Sequence, residues 1–174
     1  MPNRSQLCEL SPTSTVLTMM APTGYEVGPG LTFALREALF ALAAIEDELL
    51  PADRRSDLVD TVERVMVAEP KWWNGYYPGD AAEQRRGRRY SYSDRLRYYW
   101  PDPQIADARR TLFANLSAAG IPLPLLSAVL PAQYRRVRRG ELTPDPEAIA
   151  IDRVRDVLRD YSAACQPPAT RSRP

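Results

Sequence analysis

The sequence predicts a mainly α-helical protein. Apolar residues recur at three- and four-residue spacing along several stretches, as expected for helices with one buried face. Prolines and glycines mark the ends of these stretches, and no stretch alternates apolar and polar residues as a half-buried strand would. The 174 residues, 44% of them hydrophobic and 26% charged, are enough for one globular domain with a single core.

The first helix is predicted over residues 31–50, after the turn-forming run 27–30 and before Pro51. Its apolar stripe comprises Leu35, Ala38, Leu39, Leu42, Ile45 and Leu49. Ser56 is expected to cap a second helix that ends before Pro70. The stripe of this second helix comprises Leu58, Val62, Val65 and Met66.

The next region is rich in aromatic residues. Residues 71–79 contain two tryptophans and two tyrosines among Asn, Gly and Pro, which is typical of a loop anchored by its rings. Asp80 is expected to cap a polar helix through Arg89, weakened by Gly87. The aromatic segment, residues 90–101, then places five aromatic rings, two arginines and an aspartate within twelve residues.

The aromatic segment is predicted to form a helix of about two turns, capped by Ser93 and ended by Pro101. Helical spacing puts Leu96, Tyr99 and Trp100 on one side and the two arginines elsewhere. One hypothesis is a packing cluster whose arginines pair with local carboxylates. The other is a contact site for a partner subunit, because Tyr, Trp and Arg are enriched in interface hot spots. Its residues would be Arg95, Arg97, Tyr98, Tyr99 and Trp100.

Four further helices complete the prediction. A long one spans about residues 104–118, with an apolar stripe of Ile105, Ala108, Leu112 and Leu116, and ends at Gly120. Two short ones lie between Pro122 and Pro131 and over residues 134–139. Thr143 or Asp145 caps the last, which runs to residue 165. Residues 1–26 are expected to be poorly ordered, residues 27–165 helical, and residues 166–174 a disordered tail.

Charge and hydropathy argue against two classes of partner. The formal net charge is +1, and the arginine runs 85–89 and 135–139 are short, so we expect solvated or salt-bridged faces and no nucleic-acid partner. The longest apolar run, residues 33–45, falls short of the roughly 20 residues of a membrane span. The N-terminus lacks the pattern of a signal peptide, and we expect no membrane partner and a cytoplasmic protein.

No catalytic residue, metal site or cofactor is predicted. The sequence has no histidine, which removes the commonest general base and the commonest metal ligand. Cys8 and Cys165 are far apart and signal neither a disulfide framework nor a zinc site. The carboxylate pairs Asp57/Asp60 and Glu46/Glu48 are expected on solvated helix faces.

The run Gly28-Pro29-Gly30-Leu31-Thr32 has two interpretations. It is ordinary turn chemistry before a helix, or it presents backbone N–H groups and the positive helix end to an anion such as a sugar phosphate. The phosphate-binding residues would then be Gly28, Gly30 and Thr32.

Four stretches carry a family resemblance. They read VGPGLTFALREA at residues 27–38, YSYSDRLRYYWP at 90–101, IPLP at 121–124 and DVLR at 156–159. In this order they resemble the C-terminal part of the non-catalytic Z-type subunit of class II D-tagatose-bisphosphate aldolase.

The resemblance implies the C-terminal helical portion of a TIM-type barrel, with the Gly28 turn after the last strand and the first predicted helix as the last barrel helix. The barrel itself, which takes about 200 residues or more, is not encoded here, and residues 1–26 do not resemble the family. We therefore expect a truncated form.

The function implied is that of a non-catalytic accessory subunit that stabilises a catalytic class II aldolase subunit, without activity of its own. The alternative is a fragment of a sugar-phosphate enzyme resembling tagatose-6-phosphate 4-epimerases.

Overall fold

A computed structural model describes residues 28–165 and the side chains of residues 28–162. Within that range the chain forms helices and turns and no strand, which confirms the mainly α-helical prediction. The helices are α1 (Gly28–Leu49), α2 (Leu58–Ala68), α3 (Ala81–Tyr90), α4 (Pro103–Ala119), α5 (Leu123–Val129), α6 (Pro131–Arg138) and α7 (Pro146–Cys165). Single 3-10 turns lie at Ala52–Arg54, Pro70–Trp72 and Arg95–Tyr98. The expectations for residues 1–26 and 166–174 fall outside the described residues.

Helix α1 is the central element. It packs along α7 and also contacts α4, α2 and α5, and its Ala38, Leu39 and Leu42 are fully buried. By length and mean hydropathy α1 is also the one described helix that could cross a membrane. Eight of its 22 residues are buried, and these face the other helices of the domain.

The four helices that contact α1 bury apolar side chains in the core around it. The largest of these buried side chains are Leu58 and Met66 from α2, Ile105, Leu112 and Leu116 from α4, Leu126 from α5, and Ile149 from α7. Three- and four-residue spacing along α2 and α4 therefore identified the core face of both helices correctly.

Several predicted helix ends are confirmed. Asp80 caps α3 in a full capping box with Glu83, and α4 ends at Gly120, where φ is 75°. The ambiguity at α7 is resolved in favour of Asp145, whose Oδ1 accepts a hydrogen bond from the Ala148 N–H at 2.8 Å.

The predicted cap at Ser56 is wrong. Asp57, in the left-handed region with φ 49°, precedes α2 and makes no side-chain cap bond. Ser56 instead donates its backbone N–H and its hydroxyl to Glu46. The chain after α1 folds back over the last turn of that helix, which draws Ser56 toward α1.

Glu46 is therefore not on a solvated face, as its sequence position predicted. It is 1% exposed, and it also accepts a hydrogen bond from the Asn115 side-chain amide at 2.6 Å. Because the hydrogen bonds come from the loop and from α4, this carboxylate ties three parts of the chain together.

Packing explains why a glycine stands at position 87 within α3. A β-carbon at this position would lie 2.7 Å from Cγ of Tyr77, closer than real contacts allow. The glycine that weakens the helix thus makes room for a buried ring of the preceding loop.

Candidate functional site

The aromatic segment forms a single 3-10 turn, Arg95–Tyr98, and not the two-turn helix predicted from the sequence. Asp94 adopts a left-handed conformation with φ 42°, and an α-helix of L-residues does not continue through that conformation. Ser93 does not act as a helix cap. Its hydroxyl lies 2.9 Å from the Ser91 hydroxyl and 3.2 Å from that of Tyr77.

Five buried residues, which we call the inner cluster, hold the segment in place: Arg36, Tyr77, Asp94, Leu96 and Tyr99. Arg36 Nη1 donates to Asp94 Oδ1 at 2.8 Å, and both side chains are at most 2% exposed. Burial raises the pKa of Asp94, while the Thr32 hydroxyl and the charge of Arg36 oppose the shift, and burial lowers the pKa of Arg36. Asp94 Oδ2 is enclosed and has no hydrogen-bond partner among the described residues.

Tyr99 belongs to this inner cluster and is 3% exposed. Its hydroxyl donates to the Glu69 carbonyl oxygen at 2.5 Å and accepts from the Trp72 N–H at 3.4 Å. Burial raises the pKa of the Tyr99 hydroxyl. Trp100, half-buried, packs against the core, and its Nε1 is enclosed. These two rings anchor the segment to the domain.

The opposite side of the segment carries a surface that we call the outer stack. Its six members are Lys71, Trp72, Tyr76, Arg95, Arg97 and Tyr98. The rings of Trp72 and Tyr98 are stacked with centroids 4.8 Å apart. Lys71 Nζ lies 4.5 Å from the Trp72 ring, and the Arg97 guanidinium lies 4.7 Å from the Tyr98 ring.

Arg95 extends this stack. Its guanidinium carbon lies 3.2 Å from the centroid of the Tyr76 ring and 5.9 Å from that of Tyr98. Within residues 28–162, Lys71, Arg95 and Arg97 form no ion pair, so the carboxylate pairing of the packing hypothesis is not observed for the two arginines. Sequence reasoning placed these arginines correctly. It did not connect them with Lys71, Trp72 and Tyr76, because α3 separates the two stretches in the chain.

The predicted phosphate-binding residues lie in the first turn of α1. This helix begins at Gly28, three residues earlier than predicted, because Pro29 needs no helical N–H partner in the first turn. The Thr32 hydroxyl faces the carbonyl oxygens of Gly28 and Pro29 at 3.2 and 3.4 Å. Gly30 faces α7, where an added β-carbon would lie 3.6 Å from Val157 Cγ1. Phosphate binding here stays a prediction.

A polar cleft of about 540 Å³ lies among α1, α6 and α7. Arg136 pairs with Asp152 and Asp156, and Arg159 pairs with the same two carboxylates from the other side. Burial alone would raise the pKa of each aspartate, but hydrogen bonds from Arg136, Arg159 and Gln133 hold both pKa values below their usual range. Every charge in this clasp is paired, so it joins α6 to α7.

Two arginines of the run 85–89 also form ion pairs. Arg88 donates to Glu63, and Arg89 donates to Asp60 on α2. These contacts agree with the salt-bridged face expected from the near-neutral net charge.

Comparisons with known proteins give two findings. Residues 16–166 match the family model described as D-tagatose-1,6-bisphosphate aldolase subunit GatZ/KbaZ-like. The chain is also similar to a crystal structure titled a probable tagatose 6 phosphate kinase from Sinorhizobium meliloti 1021, with 49% sequence identity and a TM-score of 0.74. That match covers 79% of this chain and 35% of the solved protein, so the chain spans about a third of that relative's length.

Proposed function

The chain belongs to the GatZ/KbaZ-like family of D-tagatose-1,6-bisphosphate aldolase subunits, as its sequence resemblance predicted, and we propose that it is a non-catalytic accessory subunit. In this role it binds and stabilises a catalytic class II aldolase subunit in carbohydrate metabolism. The observation that carries the proposal is the family match over residues 16–166 of 174. We also propose a cytoplasmic setting, in keeping with a sugar-phosphate pathway.

The state of the buried carboxylates supports a non-catalytic role. Asp94 is paired with Arg36, Glu46 accepts hydrogen bonds from Ser56 and Asn115, and Asp152 belongs to the clasp. A general acid or base must reach the substrate within hydrogen-bond distance. Side chains that are enclosed and engaged in structural bonds are poorly placed for that task.

The metal-dependent step fits the partner better than this chain. Class II aldol cleavage uses a metal ion to stabilise the enolate. The 174 residues contain no histidine, and among the described residues no three Asp, Glu or Cys side chains converge. We therefore assign the metal to the catalytic subunit.

The test compares activity and its persistence. Purified chain is assayed with D-tagatose 1,6-bisphosphate and divalent metal, alone and together with a catalytic class II aldolase subunit. We expect no turnover by the chain alone and a longer half-life of the catalytic subunit's activity on warming when the chain is present. The control adds an equal mass of an unrelated protein. Metal-dependent turnover by the chain alone, or an unchanged half-life, would contradict the proposal.

A second candidate is a role in a sugar-phosphate enzyme resembling tagatose-6-phosphate 4-epimerases. One observation favours it: the similar solved structure is that of a probable tagatose 6 phosphate kinase. Titration of the chain with D-tagatose 6-phosphate, followed by calorimetry, separates this candidate from the first. Saturable binding that Thr32→Ala weakens would favour it, since Thr32 lies at the start of α1.

A further inference from the structure

We infer that the outer stack is the docking surface of this chain, and that it binds a carboxylate-bearing face of the catalytic aldolase subunit. The inference rests on the proposed accessory function. It assigns the contact to Lys71, Trp72, Tyr76, Arg95, Arg97 and Tyr98, and it removes Tyr99 and Trp100 from the binding surface, because both anchor the segment from the inside.

The rings of the outer stack are exposed and yet held in place. Trp72, Tyr76 and Tyr98 are 38%, 58% and 39% exposed. Stacking between Trp72 and Tyr98 fixes two of these rings, with planes inclined by only 19°. Rings that are already ordered lose little conformational entropy when a partner covers them, which favours binding.

The cations of the stack are held against the rings and have no carboxylate partner within residues 28–162. Arg97 Nη1 donates to the Ser93 carbonyl oxygen at 2.7 Å, which fixes the guanidinium against Tyr98. Arg95 makes no side-chain hydrogen bond within the described residues, and its Nε is buried. A planar guanidinium presents N–H donors that match a carboxylate, so the terminal nitrogens of Arg95 can donate hydrogen bonds to an acidic side chain of a partner.

Charge complementarity identifies the partner chemistry. Arg36, Arg88 and Arg136 all meet carboxylates of this chain, whereas the three cations of the outer stack meet none within the described range. Asp94, the acid next to Arg95 in the chain, is buried and paired with Arg36. The stack is therefore a local positive surface on a nearly neutral chain, and an acidic protein surface neutralises it.

Binding measurements with matched variants test the assignment. Wild-type chain is titrated against a purified catalytic class II aldolase subunit by interferometry at two salt concentrations. Tyr98→Ala is expected to raise the Kd at least about tenfold, and Arg95→Gln/Arg97→Gln to raise it and reduce its salt dependence. Tyr161→Ala is the matched control, because Tyr161 on α7 is 40% exposed, like Tyr98, but lies outside the stack. Circular dichroism confirms that each variant is folded.

Lys71, the single lysine of the sequence, allows a second measurement. A carbodiimide joins an amine and a carboxyl group in direct contact by forming an amide with loss of water. We expect mass spectrometry to find Lys71 joined to an aspartate or glutamate of the catalytic subunit. Crosslinks from Lys71 only to another copy of this chain would overturn the inference.

The outcomes separate the two levels of the proposal. If wild-type chain does not bind the catalytic subunit, the accessory function fails and the inference fails with it. If wild-type chain binds and the outer-stack variants bind equally well, the accessory function stands and the outer stack is not the docking surface.

Discussion

Tyr98 and Tyr99 are neighbours in the chain, but they belong to regions with opposite environments. Tyr99 is 3% exposed in the inner cluster, and its hydroxyl is bonded to the backbone of residue 69. Tyr98 is 39% exposed in the outer stack, and its hydroxyl accepts a hydrogen bond from Arg97. A single turn therefore divides this dense run of rings and arginines between the inner cluster, which anchors the segment, and the exposed outer stack.

The arginines of the two regions differ in the same way. Arg36 is buried and paired with Asp94, whereas Arg95 and Arg97 lie on rings without a carboxylate of this chain among the described residues. Substituting a residue of the inner cluster should therefore lower the stability of the fold, whereas substituting a residue of the outer stack should weaken the binding of a partner.

The largest expected effect on stability distinguishes the two neighbouring tyrosines, Tyr98 and Tyr99. Tyr99→Ala should lower the free energy of unfolding by about 4 kcal/mol, because it leaves a cavity in the core and frees the Glu69 carbonyl. Tyr98→Ala, the matched variant, should lower it by less than about 1 kcal/mol, because the ring is partly solvated. Urea unfolding followed by circular dichroism measures both. Equal losses for the two variants would contradict the division into anchor and surface.

A smaller effect tests the buried ion pair. Arg36→Leu should lower the free energy of unfolding by about 3 kcal/mol or more, because it leaves the Asp94 carboxylate buried without its cation. Adding Asp94→Asn should recover part of the loss, since asparagine is neutral and tolerates the left-handed backbone. Denaturant titration of both variants measures the recovery. If the double variant is no more stable than Arg36→Leu, the lone carboxylate charge is not the source of the loss.

The smallest effect is expected in the pH dependence of stability, where Asp94 differs from Asp152 and Asp156 of the clasp. The folded-state pKa values of Asp152 and Asp156 are lowered, so their stabilisation is complete above the unfolded value of about 3.9 and is lost as pH falls through the folded values. Asp152→Asn/Asp156→Asn should therefore be less stable than wild type at pH 7 by about 2 kcal/mol. Urea unfolding of wild type and variant measures this difference, which should shrink as the pH falls below about 3.9.

The pKa of Asp94 is shifted in the opposite direction, so its contribution to stability changes with pH in the opposite sense. Its folded-state pKa is raised, so the folded protein takes up this proton first as pH falls, and protonation favours folding. Thermal unfolding of Asp94→Asn between pH 7 and pH 3 should therefore show a steeper loss of stability than wild type. A shallower loss would mean that Asp94 is stabilised as a carboxylate in the fold.

Local patterns in the sequence were sufficient for most helices. The stripes of α2 and α4, the cap at Asp80 and the end at Gly120 depend on neighbours within about one turn, so they could be predicted. Spacing also put Leu96 on the inner side of the aromatic segment, but the contact-site hypothesis still counted Tyr99, which is buried, among the binding residues. The family was predicted from ordered matches along the chain and is confirmed.

The failures share one cause, which is contact between residues distant in the chain. Glu46 looked solvated, because periodicity does not show that residues 56 and 115 close over it. The helix predicted from Ser93 became a 3-10 turn, and Asp94 in its left-handed conformation meets Arg36 there, 58 positions earlier in the sequence. Gly87 looked like a weak point in α3 until the ring of Tyr77 was found against it.

The sequence by itself therefore determined most of the helices, the buried stripes of α2 and α4, and the family to which the chain belongs, since these depend on local spacing or ordered motifs. Only the tertiary structure decided which aromatic rings are anchors and which are free. It brought Lys71, Trp72 and Tyr76 beside Tyr98 across α3, and it left their cations without carboxylate partners among the described residues. The physical reason is that burial and ion pairing depend on distances through space, which the order of residues along the chain does not contain.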